Sequence, residues 1–316
     1  MALTGLGNDE LKLIIFGGKG GVGKTSCAIA TALALSENFE TLLISTDPAH
    51  SVSDCLEQQI GFNVVKVSGA AKLSAIEVVA DEALTIFKAA HHNALKKLLV
   101  TSSNFDKDDI DEMLTLSIPG IDEIMSFKTI IDFMEEGNYE KYVVDTAPTG
   151  HALRLISSPK MLDAWIKVAA KMRWKYRYMI TSFAGSYVPD DVDTFLLNLK
   201  KTVKRIENIL RDKTKCEFIP VCIPESMAIS ETNRLLSDLN STGIVAQQII
   251  VNNVMVSDDC AFCRNRKAGQ SKYLEQINDN FQSLNRVEVP VFETEIRGLE
   301  SLNRLKRGLF GSQQFN

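Results

Sequence analysis

The stretch "IIFGGKGGVGKTS", from Ile14 to Ser26, contains five glycines and two lysines between Gly17 and Lys24. Residues 18–25 fit the spacing G-x-x-x-x-G-K-[ST], in which small residues let successive backbone N–H groups wrap around a phosphate chain. The apolar run 13–16 before the glycines predicts a buried strand, and residues 26–35 after them predict a helix whose N-terminus faces the anion. This order of strand, loop and helix predicts a P-loop.

The loop gives a specific set of nucleotide contacts. Lys24 is expected to hold the β- and γ-phosphates of ATP, and Thr25 to place its hydroxyl on Mg²⁺. Lys19 is a second lysine that a loop binding one nucleotide does not require, and solvation is its simplest explanation. The residues expected to contact the nucleotide are Gly18, Lys19, Gly20, Gly21, Val22, Gly23, Lys24, Thr25 and Ser26.

Composition limits the class of protein. The chain has 316 residues, of which 45% are hydrophobic, and a net charge of −5, so a large folded core is expected and nucleic acid is not an expected partner. The N-terminus resembles no secretory signal, and no apolar run is long enough to span a membrane. We therefore expect a cytoplasmic protein whose six cysteines are reduced.

Further apolar runs end in polar residues, as parallel strands do at their functional edge. Helical patterns separate these runs, which predicts an α/β fold with a mostly parallel central sheet flanked by helices. The runs are "TLLISTD" (41–47), "KYVVDTAPTG" (141–150), "EFIPVCIPE" (217–225) and "QQIIVNN" (247–253).

Two long segments, from about Leu73 to Leu116 and from about Pro159 to Leu210, have helical patterns and few strand signals. They are too long for simple crossovers, which indicates a discontinuous helical subdomain. We place the nucleotide-hydrolase core at 1–70, 117–158 and 211–316, and the helical subdomain at 71–116 and 159–210.

Polar side chains at strand ends supply candidate catalytic groups. Asp47 follows the second strand and can orient or deprotonate an attacking water, whereas Asp145 follows "YVV" as a Mg²⁺-binding acid does. Either aspartate alone could instead cap a helix, but the P-loop weakens that interpretation. Asn252 can present its amide to a base edge, although an Asx-turn fits the pattern about as well.

Several motifs in combination resemble those of the arsenite-pump and tail-anchored-protein-targeting ATPases, within the deviant-Walker-A class of P-loop NTPases. The resemblance extends over about 90% of the chain. It implies a P-loop NTPase with an added α-helical client-binding subdomain. The motifs are "GGKGGVGKT" (17–25), "DPAHS" (47–51), "IPGIDE" (118–123), "DTAPTGH" (145–151), "IIVNN" (249–253) and "EIRGL" (295–299).

The resemblance also implies a homodimer and a role for the second lysine. The residue in the position of Lys19 reaches across the dimer to the partner's nucleotide, where a cation neutralises charge that develops in phosphoryl transfer. By the same resemblance Asp47 activates water, Asn252 reads adenine, and Glu225 contacts the opposing nucleotide site.

Two cysteines at C-x-x-C spacing, Cys260 and Cys263, supply half of the four ligands of a structural zinc site. A symmetric dimer would complete the site with the same pair from the partner. From spacing alone a bridging zinc ion is about as well supported as a redox dithiol or two free thiols. The following segment "RNRKAGQSKYLEQI" resembles that of eukaryotic targeting factors, which implies Zn²⁺ shared across the dimer.

The helical pattern 161–185 has a broad apolar, methionine-containing stripe. Periodicity alone favours ordinary core, whereas the resemblance implies a groove that binds transmembrane helices of tail-anchored proteins and hands them to the endoplasmic reticulum. It also implies upstream handover factors, a membrane receptor and peripheral association with that membrane. An arsenite-pump-type subunit or another deviant-Walker-A switch ATPase is the alternative. The predicted groove residues are Leu162, Trp165, Met172, Met179 and Phe183.

Overall fold

The computed structural model describes residues 2–47, 51–78, 80–102, 121–146, 182 and 190–311. Its centre is an eight-stranded sheet of order β3-β4-β2-β5-β1-β6-β7-β8, in which only the β3–β4 pair is antiparallel. The strands are β1 Leu13–Gly17, β2 Thr41–Ser45, β3 Val65–Lys66, β4 Leu73–Glu77, β5 Lys141–Asp145, β6 Cys216–Cys222, β7 Gln248–Val254 and β8 Asn285–Pro290. The predicted α/β fold with a mostly parallel sheet is confirmed.

The strand before the phosphate loop lies in the middle of the sheet. β1 pairs with β5 on one side and β6 on the other, so that Leu13 faces both Tyr142 and Cys216. All five residues of β1 are buried, as expected for a parallel strand covered on both faces. The five apolar runs identified from the sequence each form a strand of this sheet.

The prediction that residues from about Leu73 onward are helical is wrong at its start. Residues 73–77 form β4, which pairs in parallel with β2 and is buried at every position. The sequence "LSAIE" has one β-branched residue and no alternation, so its strand state depends on its place in the sheet interior rather than on local propensity. The strands β3 and β8 were also not predicted.

Eight helices lie in the described part of the chain: α1 Lys24–Leu35, α2 Ser51–Leu56, α3 Ala80–Ser102, α4 Ile121–Glu136, α5 Asp191–Arg211, α6 Ser226–Ser241, α7 Ala261–Asn280 and α8 Gly298–Phe310. The first begins at Lys24, two residues before the predicted start. The lysine and threonine of the motif therefore belong to the helix and not to the loop, which places them beside the N–H groups of its first turn.

Helix α1, which follows the phosphate loop, is deeply buried. Its sequence "KTSCAIATALAL" is rich in alanine, and ten of its residues are buried. Small side chains let the helix approach the sheet on one side and α8 on the other. Leu302, Leu305 and Leu309 of α8, which are fully buried, complete this part of the core.

The chain divides into two compact units, the first comprising Met1–Val79, Asp132–Ser157 and Ile209–Asn316, and the second Ala80–Ile131 and Ser158–Asn208. The first unit contains the whole sheet. In the second unit, the rings of Phe87, His91 and Phe195 pack against one another in tilted pairs at centroid distances of 4.8–5.8 Å, and α3 is kinked at His91. Among the described residues, no helix has the length and apolar character needed to cross a membrane.

Candidate functional site

The phosphate loop occupies the carboxyl end of β1, between Gly17 and the start of α1 at Lys24. Gly18 has φ +146°, and a Cβ there would lie 2.3 Å from the carbonyl oxygen of Val221. Gly23 has φ +92°, and its Cβ would lie 2.3 Å from Nδ2 of Asn252. The loop is therefore packed against the ends of β6 and β7 so closely that only glycine fits at these two positions.

Lys24 is folded inward over the loop. Its side chain is buried, and Nζ donates a hydrogen bond of 3.1 Å to the carbonyl oxygen of Lys19. Burial lowers the pKa of Lys24, while the carboxylates of Asp145, Asp47 and Glu231 act in the opposite direction. The ammonium group is thus held at the centre of the loop, where an added phosphate would relieve its desolvation.

Asp145 ends β5 beside the loop and is fully buried. Its Oδ2 accepts hydrogen bonds from Thr25 Oγ1 at 2.7 Å and from Ser45 Oγ at 3.4 Å, whereas Oδ1 has no partner among the described residues. Burial raises the pKa of Asp145 to about 7, against the lowering effect of its bond from Thr25 and of Lys24. An unpartnered carboxylate oxygen next to a threonine hydroxyl is a donor set suited to a hard cation such as Mg²⁺.

Asp47 lies two residues beyond β2 and is half-buried. Its backbone N–H donates a hydrogen bond of 3.2 Å to Ser45 Oγ, the hydroxyl that also donates to Asp145. The carboxylate of Asp47 acts electrostatically on both Lys24 and Asp145. The structure therefore brings the predicted water-activating acid to the phosphate loop; its catalytic role stays a prediction.

Helix α2 begins just after this segment and is fixed to the site at two points. The Oγ atom of Ser51 lies 3.2 Å from Thr25 Oγ1, which joins α2 to the start of α1. The buried carboxylate of Glu77, at the end of β4, accepts hydrogen bonds of 3.0 Å from both the backbone N–H and the hydroxyl of Ser53. Glu77 thus anchors α2 to the sheet.

Two residues assigned to the dimer by resemblance lie on this side of the molecule. Lys19 is half-buried in the loop, and its carbonyl oxygen receives the Lys24 ammonium. Glu225 is exposed immediately before α6, with its N–H bonded to the carbonyl oxygen of Ile223 at 2.7 Å. Their proposed contacts with a partner's nucleotide stay predictions.

Asn252 is buried in β7 behind the loop. Its Nδ2 donates a hydrogen bond of 2.9 Å to the carbonyl oxygen of Val22, while Oδ1 has no partner among the described residues. The residue is therefore part of a β-strand and braces the loop. Its predicted contact with adenine is untested, but the unpartnered oxygen is an acceptor of the kind that an exocyclic amino group binds.

The two cysteines of the C-x-x-C motif lie at the N-terminus of α7. Cys260 is the N-cap, and its sulfur accepts a 3.2 Å hydrogen bond from the N–H of Cys263, with the two Sγ atoms 2.9 Å apart. Hydrogen bonding from Cys263 lowers the pKa of Cys260 and raises that of Cys263. In the described part of the chain, no group of three or more His, Cys, Asp or Glu side chains could hold a metal ion.

The sequence did not identify Ser45, Glu77 or Thr146 as members of the site. Thr146 follows Asp145, and its hydroxyl donates a hydrogen bond of 2.7 Å to the carbonyl oxygen of Phe16. The only sequence signal for these residues is their position at strand ends. The five predicted groove residues lie outside the described residues.

Comparison with known proteins gives the family. The family model described as anion-transporting ATPase matches residues 11–311. ATPase ASNA1 homolog 2 of Paramecium tetraurelia is 36% identical, with 95% of this chain and 93% of the relative covered. ATPase GET3 of Chaetomium globosum is 34% identical over 96% of this chain and 92% of its own length. ATPase ASNA1 homolog of Dictyostelium discoideum is 34% identical over 94% and 89%.

The similarity to these ATPases agrees with the geometry of the site. A buried lysine, a threonine hydroxyl and a buried aspartate converge at the end of β1, which is the arrangement that binds and hydrolyses a nucleoside triphosphate in P-loop enzymes. The match extends over nearly the entire chain, including the loop, both aspartates and the C-x-x-C motif. The chain belongs to the anion-transporting ATPase family, as a relative of the ASNA1 and GET3 ATPases, and is itself an ATPase.

Proposed function

We propose that this chain is a homodimeric ATPase that captures the transmembrane helix of newly made tail-anchored proteins and delivers them to the endoplasmic reticulum. The observation that carries the proposal is the phosphate loop with its second lysine, Lys19, close to the hydrogen-bonded pair Thr25 and Asp145. The similarity to the ASNA1 and GET3 ATPases supports it. ATP binding and hydrolysis switch the dimer between closed and open states.

For hydrolysis, the loop amides and Lys24 hold the phosphates, and Thr25 and Asp145 hold Mg²⁺. The Oδ1 atom of Asp145, which has no partner among the described residues, supports that assignment. When bound, Mg²⁺ neutralises charge on the phosphate oxygens. Asp47 orients the attacking water and accepts its proton. This role requires a carboxylate that lies close to Lys24 but outside the loop.

Lys19 acts on the nucleotide of the partner subunit. Lys24 binds the phosphates of its own subunit. The charge of Lys19 is therefore available for the nucleotide of the partner once the two loops face each other. Delivery of that cation only on closure couples hydrolysis to the state of the dimer. Glu225, exposed before α6, contacts the same composite site from the other subunit.

Cys260 and Cys263 would hold zinc between the two subunits. The two sulfurs lie 2.9 Å apart at the N-terminus of α7, so one chain presents two adjacent thiol groups of the kind that zinc prefers as ligands. One chain supplies only two ligands, so the same pair from the partner completes the site. The prediction is about one zinc ion for every two chains.

Metal analysis of the purified dimer tests the bridge. Replacement of Cys260 and Cys263 by serine should remove the metal and weaken dimerisation, whereas Cys216→Ser, at a buried position in β6, should leave the zinc content unchanged. A stable dimer without zinc, or one zinc ion per chain, would show that the cysteines have another role.

The client is a transmembrane helix of about 20 residues, which is about 30 Å long and presents on the order of 900 Å² of lateral surface. At about 25 cal/mol/Å², complete shielding of this surface from water contributes about 20 kcal/mol, before the entropy cost of ordering the client and the groove is subtracted. One helical subdomain shields one side, so two subunits are needed. The apolar stripe that contains Leu162, Trp165 and Phe183 supplies the groove.

Capture of a tail-anchored segment by purified dimer tests this function. Polar substitution at Met172 and Met179 should abolish capture while folding and basal ATPase activity persist, because a groove is open to water when empty. Loss of thermal stability together with loss of capture would instead show that the stripe belongs to the hydrophobic core. The receptor at the membrane and the handover factors are then sought by co-purification with a client-loaded dimer.

An arsenite-pump-type subunit is the second candidate, favoured by the family description, anion-transporting ATPase. Arsenite-stimulated phosphate release would support it. Among the described residues, Cys27, Cys216 and Cys222 are buried, and no cluster of three metal-binding side chains is present. The similarity to the ASNA1 and GET3 ATPases favours the targeting function.

A further inference from the structure

A cavity of about 390 Å³ lies at the amino ends of β6, β7 and β8, with the N-terminal segment 4–11 as one wall. We refer to it as the amino-edge cavity. The phosphate loop is at the carboxyl ends of the same sheet, and β6 alone, with seven residues, separates the two edges by about 20 Å. The amino-edge cavity is therefore distinct from the nucleotide site.

The wall formed by the N-terminal segment is fixed by side chains of β7 and β8. Gln248 Oε1 accepts hydrogen bonds from the backbone N–H of Thr4 at 2.8 Å and from Asn285 Nδ2 at 3.0 Å, and Gln248 Nε2 donates to the carbonyl oxygen of Thr4. Asn285 also donates to the carbonyl oxygen of Ala2. The cavity is thus a preformed feature of the fold, and its volume is in the usual range for small-molecule sites.

Glu217, in β6, lines this cavity and is 3% exposed. Its oxygens accept hydrogen bonds from the backbone N–H of Gln247 at 3.3 Å and from Gln247 Nε2 at 2.9 Å, and it also interacts with the Gln248 amide. No lysine or arginine of the described residues forms an ion pair with it. A buried carboxylate without a cation is unfavourable, and desolvation raises the pKa of Glu217 to about 7.

The remaining charges of the lining are two exposed side chains, Glu10 and Lys213. Two carboxylates therefore face one lysine, and the lysine lies at the exposed rim. A divalent metal ion is a poor fit, because the described residues contain no group of three or more His, Cys, Asp or Glu side chains.

We propose that the amino-edge cavity binds a small organic cation whose ammonium or guanidinium group pairs with the buried carboxylate of Glu217. A charged donor supplies the counter-charge that the fold leaves out, and the side-chain carbonyl oxygen of Gln247 and the carboxylate of Glu10 are the acceptors available for its further N–H groups. The proposal concerns a site separate from ATP hydrolysis and stands or falls independently of the targeting function.

The test is titration calorimetry of the full chain with putrescine and agmatine, without nucleotide and at 150 mM salt to suppress non-specific attraction. The neutral analogue 1,4-butanediol has the chain length of putrescine without its charges. We expect saturable binding of at least one amine, no binding of the diol, and an affinity about 10- to 100-fold lower in Glu217→Gln, since a charge-assisted hydrogen bond is lost. The matched control, Glu275→Gln on exposed α7, should bind as the wild type does.

Localisation uses the wild-type protein alone, so the test does not depend on folding of the variant. Hydrogen exchange with and without the amine should show protection in residues 4–11 and 213–217. Absence of saturable binding, equal affinity in Glu217→Gln, or protection confined to the phosphate loop would overturn the proposal. Binding of Ca²⁺ or Mg²⁺ to Glu217 in place of the amines would also overturn it.

Discussion

Replacing Glu217 with glutamine is expected to stabilise the protein at alkaline pH and to change its stability little in acid. Burial raises the pKa of this carboxyl group from its ordinary value of 4.5 to about 7 in the folded state. Below about pH 4.5 the group is protonated in both the folded and the unfolded chain, so it contributes no pH-dependent penalty. As the pH rises toward 7, only the unfolded chain ionises, and the folded state loses stability.

The magnitude follows from the two pKa values. At about 1.36 kcal/mol for each tenfold difference in acidity, the change from 4.5 to about 7 corresponds to a penalty of about 3 kcal/mol, which is complete above pH 8. Most of this penalty, about 2–3 kcal/mol, develops between pH 5 and pH 8.5. Glutamine has nearly the same shape and removes the ionisation, and the Gln247 amide can rotate to present its oxygen to the new NH₂ group.

The assay is urea unfolding followed by far-UV circular dichroism, for wild type and Glu217→Gln, at several pH values from 5 to 8.5. Across this range the free energy of unfolding of the variant should rise relative to that of wild type by about 2–3 kcal/mol. Glu275→Gln, at an exposed position, serves as the matched control and should show no such trend. A variant-minus-wild-type difference that stays constant with pH would refute the argument that Glu217 is buried without a counter-cation.

Three further predictions concern the nucleotide site. Gly23→Ala should weaken ATP binding more than tenfold, because residue 23 has φ +92° and an added Cβ would collide with the Asn252 amide. Gly21→Ala should have a smaller effect, because its Cβ would meet no atom within 4 Å. Equal losses of equilibrium ATP binding in the two variants would contradict this. Asp47→Asn should bind ATP but release phosphate about 10²–10⁴-fold more slowly, and wild-type-like release would remove Asp47 from the mechanism. Mixing Lys19→Ala with Asp47→Asn subunits should restore hydrolysis at the one site that keeps both groups, and verified hybrids that stay inactive would exclude action across the dimer.

Local patterns were sufficient to predict the nucleotide-binding centre. The glycine spacing fixes a loop between a strand and a helix, because only backbone without Cβ atoms passes as close to Val221 and Asn252 as Gly18 and Gly23 do. Each predicted strand is an apolar run; four of the five are buried at every position, and in β7 Asn253 is half-buried. The φ preference of glycine and the hydrophobicity of the runs, which are both local properties of the sequence, determine this part of the fold.

Other features depend on contacts between distant parts of the chain, and these the sequence did not specify. Residues 73–77 have weak strand propensity and become β4 only because β2 offers a ladder beside them. Glu77 anchors α2 through Ser53, and the Asn252 side chain braces the loop at Val22, a contact between residues 230 positions apart in the chain.

Glu217 shows the same limit most clearly. In the sequence it is one acidic residue at the start of an apolar run, and nothing nearby distinguishes it from a solvated glutamate. Its burial and its cavity arise because β7, β8 and the N-terminal segment converge around it from positions more than 30 residues away along the chain on one side and more than 200 on the other. Desolvation depends on everything that surrounds a group, so only the tertiary structure determines that this carboxylate is out of water.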